Sequence, residues 1–512
     1  MKIRQELYNL VGEELAGLVR KYDVGKCKVI GKRFGVGDKQ IDKNKCASLA
    51  MLYNRVMREG NNSLAYFDDM GVTYVYNGRY YERVGDGSKF FGEVIRISLE
   101  KLGVIPLYCV FASRIISDRI IESLNSLIEF RYRPDRRYII FTNGVFDLST
   151  GRLNDFSPKY VSDLILDFAY NSRAGCLLWD IKIKEIIPEV DFRKAFQAFC
   201  GSLLVDRSKL KVEYICYLVG TGSNGKSVLA SAIAGVFGDE YITRFSPKQL
   251  FRDSDARVNI AELQGKVCNI VGDLNERDIS YGDFKRFVSG EIFQGRRNYK
   301  DPIQVRVPPL LCCTNSLPES GDDSYGYYRR QLPIYTTRHQ WTQQDRDPYL
   351  ASKLSALEAR QYIFNWIYAG YKRIVKDNGN IELGDKVLMA IEDMRADSNS
   401  PRRWWRDCRY IMSPEGRDDL AKWYNATEIF EDYAVYCRLN GDKNVGVREF
   451  NRVVRSFGIK ERRVGTGFQW QLADREKLYE QEVITEDNLI IKSKKEYANI
   501  KETELVQAKQ SR

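Results

Sequence analysis

Short apolar runs separated by polar turns dominate the middle of the chain, at Tyr214–Val219, Val267–Val271 and Pro309–Cys313. Runs of this length without alternation mark strands buried on both faces, so the pattern predicts a parallel sheet with crossover helices. The first third reads differently. Residues 1 to about 60 follow a mostly helical pattern, broken near Gly31 to Gly37. Val72–Val84 sets two β-rich runs around Asn77-Gly78, and Tyr138–Leu148 turns at Asn143-Gly144, both hairpin signals. Helical periodicity lies between them, at Phe90–Leu102 and Asp118–Glu129. Further on, residues 350–376 place Leu354, Leu357, Ile363, Trp366 and Ile367 at helical spacing. The expected organisation is a mixed α/β domain over 1–185, an α/β core over 186–345 and a helical extension over 346–400. A small module over 401–472 and a charged tail over 473–512, solvated or disordered, complete it.

Composition narrows the class without naming a function. The 512 residues are 44% hydrophobic and 29% charged, as in ordinary globular protein, with a net charge of +11. No apolar run approaches the ~18 residues a membrane span needs, and the first residues lack a signal-peptide core. A cytoplasmic protein without a membrane partner is expected. The charge permits a polyanionic partner but does not demand one. The 11 cysteines include no Cys-x-x-Cys pair and read as buried reduced thiols. A single histidine, His339, excludes two-histidine metal sites and imidazole triads.

The chemistry begins at Gly220-Thr221-Gly222-Ser223-Asn224-Gly225-Lys226-Ser227, which fits G-x-x-x-x-G-K-[ST] between an apolar strand and a helix ending at Gly238. Glycines let backbone N–H groups wrap a phosphate, and the helix N-terminus adds its positive end. Lys226 would reach the β- and γ-phosphates of ATP, and the Ser227 hydroxyl would hold Mg²⁺. Asp273 sits just past the Val267–Val271 strand, where a carboxylate can hold the Mg²⁺ and polarise water; Asn275 and Glu276 follow. A third strand ends at Thr314-Asn315, where an uncharged amide can position water. Arg329 and Arg330 precede another apolar strand and could supply an arginine finger.

In this order and spacing (47 residues from Lys226 to Asp273, 42 more to Asn315 and 15 more to Arg330) the motifs resemble superfamily 3 helicases of the phage and plasmid primase–helicase type. Leu263–Lys266, Phe284–Gly290 and Gly295–Lys300 are also similar to that family. Asn143–Leu148 and Cys176–Trp179 resemble the domain preceding such helicases, from about residue 70. The resemblance implies an AAA+-like core in a ring, usually a hexamer, with ATP between neighbours. Lys226, Ser227, Asp273 and Asn315 would then act from one subunit and Arg329 or Arg330 from the next, on single-stranded and duplex DNA in replication. The family usually has Glu at the acid position; Asp273 is one methylene shorter, and Glu276 is a candidate to compensate. The resemblance also implies a basic hairpin lining the pore, and residues 285–300 carry five basic residues against one acid. Lys285, Arg296, Arg297 and Lys300 are the candidate DNA contacts there, with Tyr299 beside them. A primase is not expected in this chain, because the first third offers only Asp68-Asp69 as an acid pair; a primase or other replication protein would act in trans.

Towards the end, Asn425–Glu428 fits a capping box, and a helix over Val447–Phe457 sets Val447, Phe450, Val454 and Phe457 on one face. Arg448, Arg452 and Arg455 point elsewhere, and Arg462 and Arg463 precede a glycine-turned hairpin. Helix, basic helix and wing resemble a winged-helix domain, with these five arginines as DNA contacts. Pro401–Arg406 mixes cations with Trp404 and Trp405, which suits either single-stranded nucleic acid or packing. An origin-binding initiator ATPase, or a P-loop kinase for a small molecule, would share the phosphate loop.

Overall fold

The computed structural model describes residues 58–59, 62–63, 65–67, 72–86, 132–272, 281–297, 302–318, 325–342, 347–408, 410–412, 421–465 and 467–474. Outside them lie the helical patterns expected over 90–102 and 118–129, nearly all of the charged tail, and the pattern expected over 1–60 except Arg58–Glu59, which forms a strand instead. Contacts divide the chain into two units, Met1–Ser172 and Arg173–Arg512. The helix Leu177–Ile186 lies within the second unit.

The described strands of the first unit pair antiparallel, with one isolated parallel bridge between Ile140 and Ile165. Two short strands, β1 (Arg58–Glu59) and β2 (Asn62–Ser63), pair with each other. A second sheet joins β3 (Ala65–Phe67), β4 (Val72–Tyr76) and β5 (Tyr81–Asp86). A third joins β6 (Tyr138–Phe141), β7 (Gly144–Asp147) and β8 (Arg152–Asn154). Both expected hairpins form. The second turns one residue earlier than expected, at Thr142-Asn143, because Phe141 pairs with Gly144. A Cβ on Gly144 would lie 2.6 Å from the Asn154 carbonyl, and the Asn143 side chain is occupied by the main chain of Tyr170. Asp147, buried in this sheet, accepts two bonds from Arg137 at 2.9 and 2.6 Å. That pairing holds its carboxyl far below the usual range.

The second unit opens with α1 (Leu177–Ile186) and α2 (Val190–Ser202), followed by β9 (Ile215–Val219) and α3 (Lys226–Phe237). Next come β10 (Ile242–Thr243), α4 (Pro247–Phe251), α5 (Ala256–Glu262), β11 (Cys268–Val271) and α6 (Tyr281–Val288). A hairpin of β12 (Ile292–Arg296) and β13 (Pro302–Arg306) leads to β14 (Leu310–Thr314), α7 (Tyr325–Tyr328) and β15 (Gln331–Tyr335). Five strands form one parallel sheet in the order β10-β11-β14-β9-β15. Every residue of β9, an interior strand between β14 and β15, is buried, which explains its unbroken apolar run. This is an α/β core, with the parallel sheet predicted from the sequence pattern.

The predicted helix over 350–376 is two, α8 (Leu350–Leu354) and α9 (Leu357–Lys376), separated at Ser355-Ala356. The break turns Leu357 outward, while Leu354, Ile363 and Ile367 are buried. Backbones touch where α9 crosses α2: a Cβ on Gly370 would lie 2.0 Å from the Gln197 carbonyl. After α10 (Asp385–Asp397) a small antiparallel module begins with α11 (Ser400–Asp407) and β16 (Tyr410–Ile411). It continues through β17 (Ala421–Asn425), α12 (Ala426–Asn440), α13 (Val447–Arg455), β18 (Glu461–Val464) and β19 (Gly467–Asp474). The long β19 pairs with β16, β17 and β18. Trp404, Tyr433, Phe450 and Trp470 fill its core, and Trp405 stacks on Phe457, so the tryptophan pair serves packing. The expected capping box at Asn425 is replaced by a side-chain bond from Asn425 to Glu428 at 2.9 Å. On α13, Val453 is buried instead of Val447, which is exposed. No helix of the described residues is long and apolar enough to cross a membrane.

Candidate functional site

The phosphate loop leaves the C-terminal end of β9, held by Gly220 N–H on the Thr314 carbonyl at 3.2 Å and Gly222 N–H on Gly220 at 2.9 Å. Gly222 and Gly225 take φ of +95° and +84°, a region that disfavours side chains. A Cβ on Gly220 would lie 1.9 Å from the Asn224 amide nitrogen and 2.2 Å from the Thr336 hydroxyl. Glycine at 220 therefore lets Asn224 dock, and Asn224 is 1% exposed, donating to Thr336 at 2.8 Å. α3 starts at Lys226, with Gly225 as an N-cap that offers no side-chain bond. Its first-turn N–H groups thus lack a capping side chain, the arrangement that suits an anion.

Lys226 has a buried stem, and its ammonium donates to the Gly220 carbonyl at 2.6 Å, Asn224 Oδ1 at 3.1 Å and Asn315 Oδ1 at 3.3 Å. Asn315 follows β14, which pairs with β9 through Thr314 and Val219. That register brings the two predicted residues together from positions 89 apart. Thr221, Ser223 and Ser227 are exposed, Ser227 on the first turn of α3. Buried lysine, left-handed glycines and an uncapped helix start fit a nucleoside triphosphate, with the Ser227 hydroxyl free of burial for a metal. Asp273 and Glu276 lie outside the described residues; β11, which leads to them, ends at Val271.

Three residues absent from the sequence reading pack on the loop. Beyond β15, Thr336 receives the Asn224 amide and donates to the Val219 carbonyl at 2.9 Å. Gln340 donates to both Thr221 oxygens, at 3.2 and 3.1 Å, and Trp341 N–H bonds the Ser223 carbonyl at 3.0 Å. Only the placement of β15 beside β9 makes these neighbours. A polar stretch after an apolar strand was the sole signal in the sequence.

Arg329 and Arg330 are not brought to this cluster. They precede β15, whose first residue pairs with Ile215, the first residue of β9, so they sit at the opposite end of the sheet. There Glu213 takes Arg329 at 2.7 Å and Arg330 at 3.4 Å. Burial pushes the Glu213 carboxyl up, but the Ser289 hydroxyl and the two guanidinium groups outweigh it and hold it below its ordinary value.

The basic segment expected as one hairpin over 285–300 divides instead between α6, which carries Lys285 and Arg286, and the β12–β13 hairpin over Ile292–Arg306. Phe293 and Gly295 of β12 face inward, Gly295 so close to α5 that a Cβ would lie 2.8 Å from Ala261. Ile292, Gln294 and Arg296 face outward, opposite Arg306, Gln304 and Pro302. Arg297 donates to Gln264 at 3.0 Å, Lys285 lies on α6, and Lys300 is outside the described residues. In the last module Arg448 is exposed and makes no ion pair among the described residues. Arg452 pairs with Glu449 at 2.6 Å, and Arg455 pairs with Glu461 at 2.9 Å over the Phe468 ring. Arg462 lies 4.3 Å over the Trp423 ring, and Arg463 is exposed on β18.

All eight described cysteines are free thiols. Burial pushes Cys200, Cys216, Cys268 and Cys312 well above the ordinary thiol range.

Residues 50–190 match a family described as "D5 N terminal like", and residues 218–330 match a "Family of unknown function (DUF5906)". A protein of Acanthamoeba polyphaga mimivirus named "Putative helicase" is 28% identical over 217 residues, 39% of this chain. The matched stretch spans 22% of that relative's length. Among solved structures, the A form of the apo C-terminal region of NrS-1 superposes with a TM-score of 0.43 at 10% identity, covering 85% of this chain and 100% of that one. A second form of the same region gives 0.40 at 10% identity, covering 83% and 99%.

Proposed function

We propose that this chain is an ATP-driven DNA helicase in replication, assembled as a ring with nucleotide hydrolysed between subunits. The carrying observation is the convergence of Lys226, Asn224 and Asn315 at the C-terminal ends of β9 and β14. The mimivirus relative's name and the match to the "D5 N terminal like" family support the same reading. Residues 220–227 would hold ATP, and Ser227 with Asp273 would hold Mg²⁺. Asp273, with Glu276 near it, would polarise the attacking water, which Asn315 would orient. Arg329 or Arg330 would act on the neighbour's nucleotide, as befits cations at the far end of the sheet. Superfamily 3 membership, a homo-hexamer and a cytoplasmic setting belong to this proposal.

The DNA-facing surface would combine Lys285, Arg296, Arg297 and Lys300 with the last module. That module runs helix, two strands, two helices and two strands, with β17 and β18 on either side of β19, and its helix pair followed by a hairpin supports a winged-helix assignment. Arg448, Arg452, Arg455, Arg462 and Arg463 lie on its α13 and β18. The same feature favours a second reading, an origin-binding initiator. The test is ATP hydrolysis with and without single-stranded DNA. Stimulation is expected; an unchanged rate sinks the helicase reading, and protection of one defined duplex sequence would favour the initiator.

A further inference from the structure

The far end of the sheet holds more than the arginine pair. Arg207, buried, donates to the Val307 carbonyl at 3.0 Å, to the Val212 carbonyl at 3.1 Å and to the Val288 carbonyl. Val288 and Val307 flank the β12–β13 hairpin, so one side chain ties both hairpin roots to the residue before Glu213. Arg306 adds a bond to the Gly290 carbonyl at 2.8 Å. Between these roots lies Ser289. Its hydroxyl accepts from Arg330 Nη2 at 3.4 Å, and the same nitrogen lies 3.4 Å from Glu213 Oε2. Glu213 is 20% exposed and Arg330 12%, so these interactions are poorly screened.

Glu213 therefore holds the cations that would serve a neighbour's nucleotide, and it is linked to the root of the hairpin that would grip DNA through Arg330, which also reaches Ser289, and through Arg207 on the carbonyl of the preceding Val212. We propose that Glu213 is a positioning residue coupling the two. With no neighbouring phosphate in reach it holds Arg329 and Arg330; when Arg330 turns to a phosphate across the interface it leaves both Glu213 and Ser289, and the hairpin root shifts. A carboxylate suits this task because it competes with phosphate for the same guanidinium, giving the element two discrete arrangements. The inference rests on the helicase reading above.

The experiment measures ATP hydrolysis by the full chain with and without single-stranded DNA, in wild type, Glu213→Gln, Glu213→Asp and Ser289→Ala. Glu213→Gln should raise the DNA-free rate several-fold, since the arginines lose their competitor, and should lose DNA stimulation. A merely structural role would not raise a rate. Glu213→Asp should recover part of the stimulation, and Ser289→Ala should reduce it. Wild-type stimulation ratios in both Glu213→Gln and Ser289→Ala overturn the coupling, as does loss of hydrolysis in both while folded. Should Glu213→Gln not fold, the ratio in Ser289→Ala decides alone. A wild type that hydrolyses ATP without any response to DNA overturns the functional reading instead, and the coupling with it.

Discussion

The two ends of the parallel sheet are built from similar residues to opposite effect. At the C-terminal ends of β9 and β14 a lysine is held by neutral oxygens from the loop and from Asn315. At the N-terminal ends of β9 and β15 two arginines face a carboxylate of their own chain. One end is assembled within the subunit; the other presents cations engaged at home. Five paired residues separate the ends, about 16 Å of strand. The arginines of a chain thus cannot serve its own loop without the sheet breaking, and the proposed ring would answer this by placing the far end of one copy at the near end of the next.

The strongest way to break this contrast is Lys226→Ala, expected to lower hydrolysis by about 10³-fold or more, read by phosphate release with unchanged circular dichroism. Wild-type turnover would remove the near end from the chemistry. Arg330→Ala addresses the far end: a trans-acting arginine is worth about 10³–10⁵-fold in rate. Mixing its subunits with Lys226→Ala subunits should recover activity at interfaces that join one intact loop to one intact arginine. Mixtures that never recover would show that the far end does not work across subunits.

Gly220→Ala sharpens the near end without touching a charge. The added methyl must displace the Asn224 amide from Thr336, and a misplacement of that size costs about 10²-fold in kcat/KM, with a loss of about 1–3 kcal/mol in stability by thermal melting. An unaltered enzyme would mean that Asn224 docking is dispensable. The smallest effect concerns the last module, where the same contrast recurs between Arg448 and Arg455. Arg448→Ala should reduce the slope of log affinity for duplex DNA against log salt by about 1. Arg455→Ala, whose guanidinium is engaged by Glu461 and Phe468, should change it less; equal slopes would erase the distinction.

Local patterns were legible where local forces decide. The buried strands β9, β11 and β14 stand within a residue of the apolar runs that mark them, and α3 ends at Gly238 as its left-handed cap requires. The errors arise where a neighbour decides instead. Asn425 spends its side chain on Glu428 and Gln469 rather than on the helix start. Ser355-Ala356 breaks a helix whose periodicity runs through it. Trp404 and Trp405 lie in a core because α12, α13 and β19 close over them, which no spacing within Pro401–Arg406 reveals.

The sequence by itself determined the glycine-rich loop before α3, since glycine spacing and a lysine at a helix start are local requirements written in consecutive residues. It also determined the apolar strands and the basic hairpin's charge. Only the tertiary structure decided which residues share an end of the sheet. The register of β9 with β14 and β15 joins Lys226 to Asn315 and parts it from Arg330, and buries Thr336 against Asn224. Strand order in a parallel sheet is a property of crossovers, set by how helices cover both faces rather than by any stretch of residues a pattern can span.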